Sequence, residues 1–373
     1  MVFEKVIIVT PSFEQRVSKM AYSFVKRGIQ TIVYAEEASV SAEFCNYVQN
    51  VKCHTIPVAN KLKRTPLGIN RIAFLRKELS KELSSNQKTL IISRDVNYGY
   101  IVGKVLHFLK SDNYFYITDI ADNYDLFYSS FSNMFERVIF KSGFGYLTGN
   151  ALKESDAVFI VAEINRQRIQ SAFRSQLKNK PVFLLRNLPM HVESFYGNEK
   201  IKDSLVYVGK IDEISRDPFY VLEKLIDMPG YTLHLYSEQK RATIEKMKEY
   251  AKNNNIQDRV IFHQRVQYDL LAREISQYQV GLVPHKRSLL TDYTTPNKIY
   301  DYKNSGIVTV MSDCPSLISE NDEFHFGLVY SKEADDFIDV VEKAMSYSLD
   351  YDNPIPEWDE EFEAFFSELS MIE

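Results

Sequence analysis

Cysteine is scarce in this chain. Its 373 residues include only Cys45, Cys53 and Cys314, an odd, scattered set without metal-ligand spacing, which excludes a disulfide framework and points to a reducing compartment. Long apolar runs are missing too, and none approaches the ~18 residues needed to span a bilayer. The first strand pattern, Lys5–Thr10, starts so close to Met1 that no signal peptide is expected before it. Together these absences predict a cytoplasmic protein. There is no excess of positive charge: a net charge of −5 argues against a nucleic-acid binder that works through bulk potential. No G-x-G-x-x-G follows the first strand, which argues against a tightly bound dinucleotide.

What is present suits a globular protein of two domains: 45% hydrophobic and 25% charged residues over a length too great for one ordinary core. Tyr and Phe number 24 each against a single Trp, an excess most simply assigned to core packing. Val6-Ile7-Ile8-Val9 is a continuous apolar run, as in a strand buried on both faces. Pro11-Ser12 reads as a helix start, with Ser12 and Gln15 at capping-box spacing. Val17, Met20, Ala21, Phe24 and Val25 form one helical stripe, Gly28 ends it, and Thr31–Tyr34 is the next strand. This is a βαβ unit, and so a Rossmann-like beginning.

Strand and helix patterns continue through Leu90–Ser93, Tyr100–Leu109 and Tyr114–Ile117, which deliver Asp119 and Asp122 to a strand's carboxyl end. Ligands bind there in α/β proteins, and two carboxylates could hold sugar hydroxyls or assist proton transfer. Their spacing is D-x-x-D, with no His or Cys cluster nearby, so no metal is expected. Residues 61–82 are the most basic stretch. Lys61, Lys63, Arg64, Arg71, Arg76, Lys77 and Lys81 lie over an apolar stripe of Ile69, Ile72, Leu75 and Leu79, a pattern shared by a helix on an anionic membrane and a core-packed helix with a solvated face. Phe127 to Leu152 mixes aromatics, glycines, Arg137 and Lys141. Strand, helix and strand patterns over Ala157–Val161, Glu163–Phe173 and Val182–Asn187 close the first domain, and the polar, proline-interrupted 188–203 reads as a linker.

The pattern then restarts. Ser204–Lys210 is a strand ending in Gly209-Lys210, Arg216 follows in a loop, and Asp217 is placed to cap a helix. Leu233–Tyr236 and Val260–His263 are further strands, the second followed by Gln264-Arg265-Val266. The stretch Asp292–Asp313 organises this half. A short apolar strand, Val280–Val283, leads through a polar loop to Thr295-Pro296-Asn297, a good helix start. A helix to Asn304, Gly306 and the strand Ile307–Met311 follow. Strand, loop, helix N-terminus and strand form an anion-binding unit in parallel sheets. Lys298 and Asp301, about one turn apart, can face one ligand.

Pro296-Asn297-Lys298-Ile299-Tyr300-Asp301-Tyr302, with Gly306 beyond, resembles the P-x-K-x-(F/Y)-(E/D)-Y…G segment of retaining GT-B glycosyltransferases of the group 1, family 4 type. The resemblance extends over almost the whole chain. It implies an α/β protein of GT-B fold: two Rossmann-like domains facing a central cleft, with a C-terminal helix returning to the N-terminal domain. The implied boundaries are 1–190 plus the returning helix 355–373 for an acceptor domain, and 191–354 for a nucleotide-sugar donor domain. The donor contacts it implies are Gly209, Lys210, Arg216, Val266, Thr295, Pro296, Asn297, Lys298 and Asp301. Lys210 and Arg216 would grip the diphosphate, and Asp119 or Asp122 would serve at the acceptor side. Asp301 matches the second acid of that family's acidic pair, and Tyr293 stands where the first would fall.

The expected activity is retaining transfer of a hexosyl group from a nucleotide diphosphate sugar, UDP-sugar before GDP-sugar. The acceptor would be a glycan, lipid-linked or protein-linked, in bacterial surface polysaccharide or glycoconjugate synthesis. No cofactor or nucleic acid is expected, and peripheral contact with an anionic membrane is one of the two readings open for 61–82. The alternative is a non-catalytic GT-B partner subunit of a transferase.

Overall fold

The computed structural model describes residues 3–37, 48, 50–57, 69–109, 111–131, 133–190, 195, 198–237 and 242–372. The chain divides into two compact units, Met1–Asn187 with Trp358–Glu373, and Leu188–Glu357. Each is a parallel sheet with helices on it.

Unit 1 runs β1 (Lys5–Ser12), α1 (Gln15–Lys26), β2 (Gln30–Glu37), β3 (Lys52–Thr55), α2 (Ile69–Leu83), β4 (Thr89–Arg94) and α3 (Val96–Leu109). It continues β5 (Tyr114–Ile120), α4 (Met134–Glu154), β6 (Ala157–Ile160), α5 (Glu163–Ala172) and β7 (Val182–Leu184). The strands lie in the order β3-β2-β1-β4-β5-β6-β7, all parallel. The apolar runs of the central strands are there because both sheet faces are covered: Val6 to Val9 and Leu90 to Ile92 are fully buried. One expectation fails at the first turn. Pro11 and Ser12 belong to β1, because pairing with β2 continues to Ser12 opposite Glu37. Glu14, not Ser12, occupies the N-cap of α1 without a side-chain cap bond, and its carboxylate accepts from Arg94 instead, 2.9 Å from Nε.

Unit 2 runs β8 (Ser204–Val208), α6 (Pro218–Ile226), β9 (Thr232–Tyr236), α7 (Ala242–Asn253), β10 (Val260–His263), α8 (Tyr268–Ile275) and β11 (Val280–Val283). Then come α9 (Lys298–Asn304), β12 (Val308–Ser312), α10 (Pro315–Phe324), β13 (Gly327–Tyr330) and α11 (Phe337–Ala344). The strand order is β10-β9-β8-β11-β12-β13, again all parallel. Asp217 sits at the N-cap of α6 but makes no cap bond; its carboxylate accepts from Lys332, at 2.6 Å. The last helix, α12 (Trp358–Ser370), belongs to unit 1, as expected for a returning helix. Phe362 meets Phe24 of α1 edge-on, ring centroids 5.0 Å apart.

Between β8 and β11 the ladder covers only Leu205 opposite Val280 and Val206 opposite Gly281. Beyond those pairs the Tyr302 hydroxyl accepts from the Val208 N–H at 3.0 Å and lies 3.3 Å from the Leu282 carbonyl. Tyr302 fits because residue 281 is glycine: a Cβ there would stand 2.5 Å from its ring. Gly281→Ala is therefore expected to cost about 1–3 kcal/mol through overpacking, read as a lower denaturant midpoint at constant m-value. An unchanged midpoint would mean that Tyr302 is not held against β11.

Candidate functional site

In unit 2 the strand order reverses direction between β8 and β11, and such a switch point is where open α/β sheets leave a crevice at the strands' carboxyl ends. Several functional candidates from the sequence meet at these ends. Gly209 follows β8 with φ of 103°, a backbone turn that glycine makes without strain. The Lys298 ammonium lies 3.7 Å from where a Cβ on Gly209 would stand, and 3.6 Å from the centroid of the Tyr207 ring. Arg216 enters the same place through an isolated backbone bridge to His285, which follows β11.

Two cations share this place, with the Asp301 and Asp212 carboxylates acting on them. Lys298 and His285 are both buried. Burial and then Arg216 hold the Lys298 ammonium well below its ordinary range, and the Asp301 carboxylate opposes that shift only in part. Burial, then Arg216 and Lys298, likewise push His285 far down, so it is the neutral imidazole. Both of its ring nitrogens, Nε of Arg216 and the Thr295 hydroxyl are buried without a hydrogen-bond partner in the protein. Unpaired buried polar groups are costly, and two cations beside a neutral donor and a free hydroxyl form a site that an anion would satisfy. The helix dipole is a minor contributor, since α9 has only seven residues and macrodipole effects fade within a turn.

Beside these cations lies a cavity of about 300 Å³ lined by Gly209, Lys210, Tyr236, Ser237, Val266 and Tyr268, among others. Lys210 is exposed at its rim. The Ser237 hydroxyl is buried without a partner. Pro296 is buried, whereas Asn297 is exposed, so of the Thr295-Pro296-Asn297 turn it is the threonine that brings a buried, unpaired polar group. Tyr207, Ser237 and Tyr268 were not singled out from the sequence. Only Ser237 carried a readable signal, a polar residue directly after an apolar strand.

The carboxylates of unit 1 stand in different environments. Asp119 is fully buried, and Arg16 donates to both its oxygens, at 2.9 and 3.0 Å. The Arg94 guanidinium is 3.6 Å away on the other side. Its place in the strand and its two arginines leave Asp119 closed to solvent. Asp122 is exposed. Asp95, at the end of β4, adopts φ of 77°, unusual for a residue with a side chain, and burial pushes its carboxyl up to about 6. Among the described residues, no group of three or more His, Cys, Asp or Glu side chains could hold a metal ion.

No family model matches the chain, and no curated protein matches it in sequence. Solved structures do match. The lipopolysaccharide outer core galactosyltransferase WaaB in its apo form is 15% identical with a TM-score of 0.64, over 98% of this chain and 99% of its own. Sucrose-phosphate synthase from Thermosynechococcus elongatus is 12% identical with a TM-score of 0.69, over 99% and 100%. The pneumococcal O-GlcNAc transferase GtfA, solved in complex with UDP and GlcNAc, is 11% identical with a TM-score of 0.65, over 99% of each. The fold is GT-B.

Identities of this size establish architecture, and the GT-B assignment extends over both units. Of the basic stretch 61–82, Lys61, Lys63 and Arg64 lie outside the described residues. Arg71 is buried and pairs with Glu36 at 2.8 Å, while Leu75, Leu79 and Leu83 join the core of unit 1. The apolar stripe of α2 is thus used inside the GT-B domain, leaving Arg76, Lys77 and Lys81 exposed. Among the described residues, no helix is long and apolar enough to cross a membrane.

Proposed function

We propose that this chain is a glycosyltransferase that holds a nucleotide diphosphate sugar, UDP-sugar before GDP-sugar, in unit 2 and transfers its sugar with retention and without a metal. The observation that carries this reading is the cluster of buried Lys298 and His285 with half-buried Arg216, whose Nε, like both His285 ring nitrogens, has no hydrogen-bond partner in the protein, beside a cavity of about 300 Å³. A diphosphate would satisfy the cluster, and a nucleoside has room alongside. Breaking the bond between the anomeric carbon and the β-phosphate oxygen leaves the electron pair on the diphosphate. Fixed cations lower the energy of that developing charge. The WaaB and GtfA structures, a galactosyltransferase of lipopolysaccharide outer core and a transferase solved with UDP, support the donor class. The acceptor of this reading is a glycan, lipid-linked or protein-linked, of bacterial surface glycoconjugates, a class to which the lipopolysaccharide outer core named for WaaB belongs. Asp122 is the acceptor-side acid of this reading, with Asp119 behind it holding Arg16.

A second reading, a non-catalytic partner subunit, is favoured by one observation. Tyr293 occupies the place of the first acid of the family pair, and the neighbouring Asp292 is engaged by Arg287 at 2.8 Å. Calorimetric titration with UDP and GDP in the absence of divalent metal, followed by assay of UDP released from UDP-sugars, separates the two. Metal-free binding with UDP release is expected. Binding without release in the presence of candidate acceptors would favour the partner reading, and binding of neither nucleotide would overturn the donor site.

A further inference from the structure

The anion site of unit 2 is assembled from three elements, and one buried hydroxyl meets the backbone of two of them while belonging to the third. Gly209 follows β8, His285 follows β11, and Lys298 opens α9. Tyr302 lies four residues beyond Lys298 on α9, so the two side chains share a face of the helix. Tyr302 is fully buried, and its ring occupies the space that Gly281 of β11 leaves free. Its hydroxyl accepts from the N–H of Val208, the residue before Gly209, at 3.0 Å. The carbonyls of Val206 on β8 and Leu282 on β11 lie 3.4 and 3.3 Å from the same oxygen, within reach of its proton.

Parallel neighbours ordinarily satisfy each other along the whole ladder. Here direct pairing of β8 with β11 covers Leu205 opposite Val280 and Val206 opposite Gly281, and the phenol oxygen then stands between the strands as a shared partner. The strand ends are parted by a ring of fixed width, and the Val208 N–H still has its acceptor. That spacing sets how far the Gly209 turn stands from the segment of His285, to which Arg216 is joined by a backbone bridge. The same side chain sets how deep α9 sits. With it goes the place of the Lys298 ammonium on the Tyr207 ring, 3.6 Å from the centroid. On the donor reading of unit 2, we infer that Tyr302 is the positioning residue of the anion site, acting through Gly209, His285 and Lys298 to set the affinity for a diphosphate. Closed to solvent, it works without touching the ligand.

Calorimetric titration of the full-length protein with UDP tests this, at about pH 8, well above the second phosphate pKa of about 6, and at a temperature well below each variant's unfolding transition. Tyr302→Phe keeps the ring and removes the hydroxyl, and should weaken UDP binding by about tenfold or more. Tyr300→Phe is the matched control on the same helix. The Tyr300 hydroxyl donates to Glu320 of α10 at 2.8 Å, so its loss should lower stability and leave UDP affinity unchanged. Gly281→Ala keeps the Tyr302 hydroxyl but displaces the ring. It should weaken binding in the same direction, and it carries the test if Tyr302→Phe does not fold. A pH profile follows the ammonium itself. Arg216, His285, Asp301 and Asp212 face Lys298, Tyr207 lies under it, and burial holds its value well below 10.5. UDP affinity therefore falls as pH rises through that value. In Tyr302→Phe, where the ammonium gains water, the fall should move toward 10.5, and in Tyr300→Phe it should stay in place. The uracil ring also titrates in alkali, but alike for every variant, so the difference between variants is read. Unchanged affinity and an unmoved profile in Tyr302→Phe and Gly281→Ala would overturn the inference while the donor reading stands. So would an equal loss in Tyr300→Phe, because any softening of α9 would then suffice. No UDP binding by the unsubstituted protein would instead remove the donor reading, and this positioning role with it.

Discussion

Replacing Lys298 by methionine is expected to weaken UDP binding by about 2–4 kcal/mol, roughly 30- to 1,000-fold, while leaving the unliganded protein as stable as before or more so. The opposite signs follow from where the ammonium sits. It rests on the face of Tyr207, next to Arg216, and burial and that neighbour hold it well below the ordinary lysine value of 10.5. A lysine whose folded value is depressed costs stability wherever it must be charged. That cost is fully present below the folded value and disappears as pH rises past the unfolded value near 10.5. Methionine keeps most of the stem and removes the charge, so the gain in the unliganded state should be largest at neutral and acid pH and absent in alkali. Bound diphosphate reverses the balance, because the ammonium then has its counter-charge in a dry site. Parallel thermal unfolding and calorimetric titration check both signs. A variant that loses stability but binds UDP normally would make Lys298 a structural residue and remove it from the donor site.

Much of this was legible in the chain because parallel sheets bury their strands on both faces. Val6 to Val9 and Leu90 to Ile92 could be read as strands with no knowledge of their neighbours, and the ends of such strands are where ligands bind. Gly209, Arg216 and Lys298 were expected there from the resemblance to retaining GT-B glycosyltransferases, and the structure brings them to one place in unit 2. Other features depend on partners that sequence distance hides. Asp119 and Arg16 are 103 residues apart, and nothing local marks the aspartate as a buried ion-pair member rather than an open carboxylate. The Ser12 capping box fails because β2 extends the strand through Ser12, a long-range effect that local spacing does not contain. Helix α4 was not recognised as a helix at all. Its first half is apolar along the exposed arc and against the Phe131 and Phe144 rings, and Gly143 and Gly145 interrupt it, so no single amphipathic stripe marks the element. The edge strand β3, Lys52–Thr55, is exposed along its length and lacks the apolar content that marks a strand.

The larger stability effect is expected at the single tryptophan. Trp358 is fully buried at the start of α12, and its indole N–H donates to the Ser23 hydroxyl of α1 at 2.9 Å. The Lys19 ammonium lies 4.7 Å from the ring centroid and the Arg16 guanidinium 5.8 Å. Trp358→Ala removes the largest side chain between α12 and α1, and should cost about 3–5 kcal/mol, seen by calorimetry as a fall of about 6–20 °C in the transition of unit 1. Trp358→Phe retains an aromatic face for the cations and loses mainly the hydrogen bond, so about 1–2 kcal/mol is expected. The two substitutions differ in a further respect. Arg16 holds Asp119 with two of its nitrogens, and Trp358 supplies the aromatic surface next to that guanidinium. Loss of the ring should therefore loosen the arginine at the end of β5, whereas phenylalanine should not. If the donor site lies wholly in unit 2, UDP binding by Trp358→Ala should be unchanged below its transition, while any transfer activity that relies on the Asp119 end of the sheet falls. A transition shifted by less than a couple of degrees would mean that α12 is held by Phe362 and Phe365 alone, and that the tryptophan fills space without joining the helices.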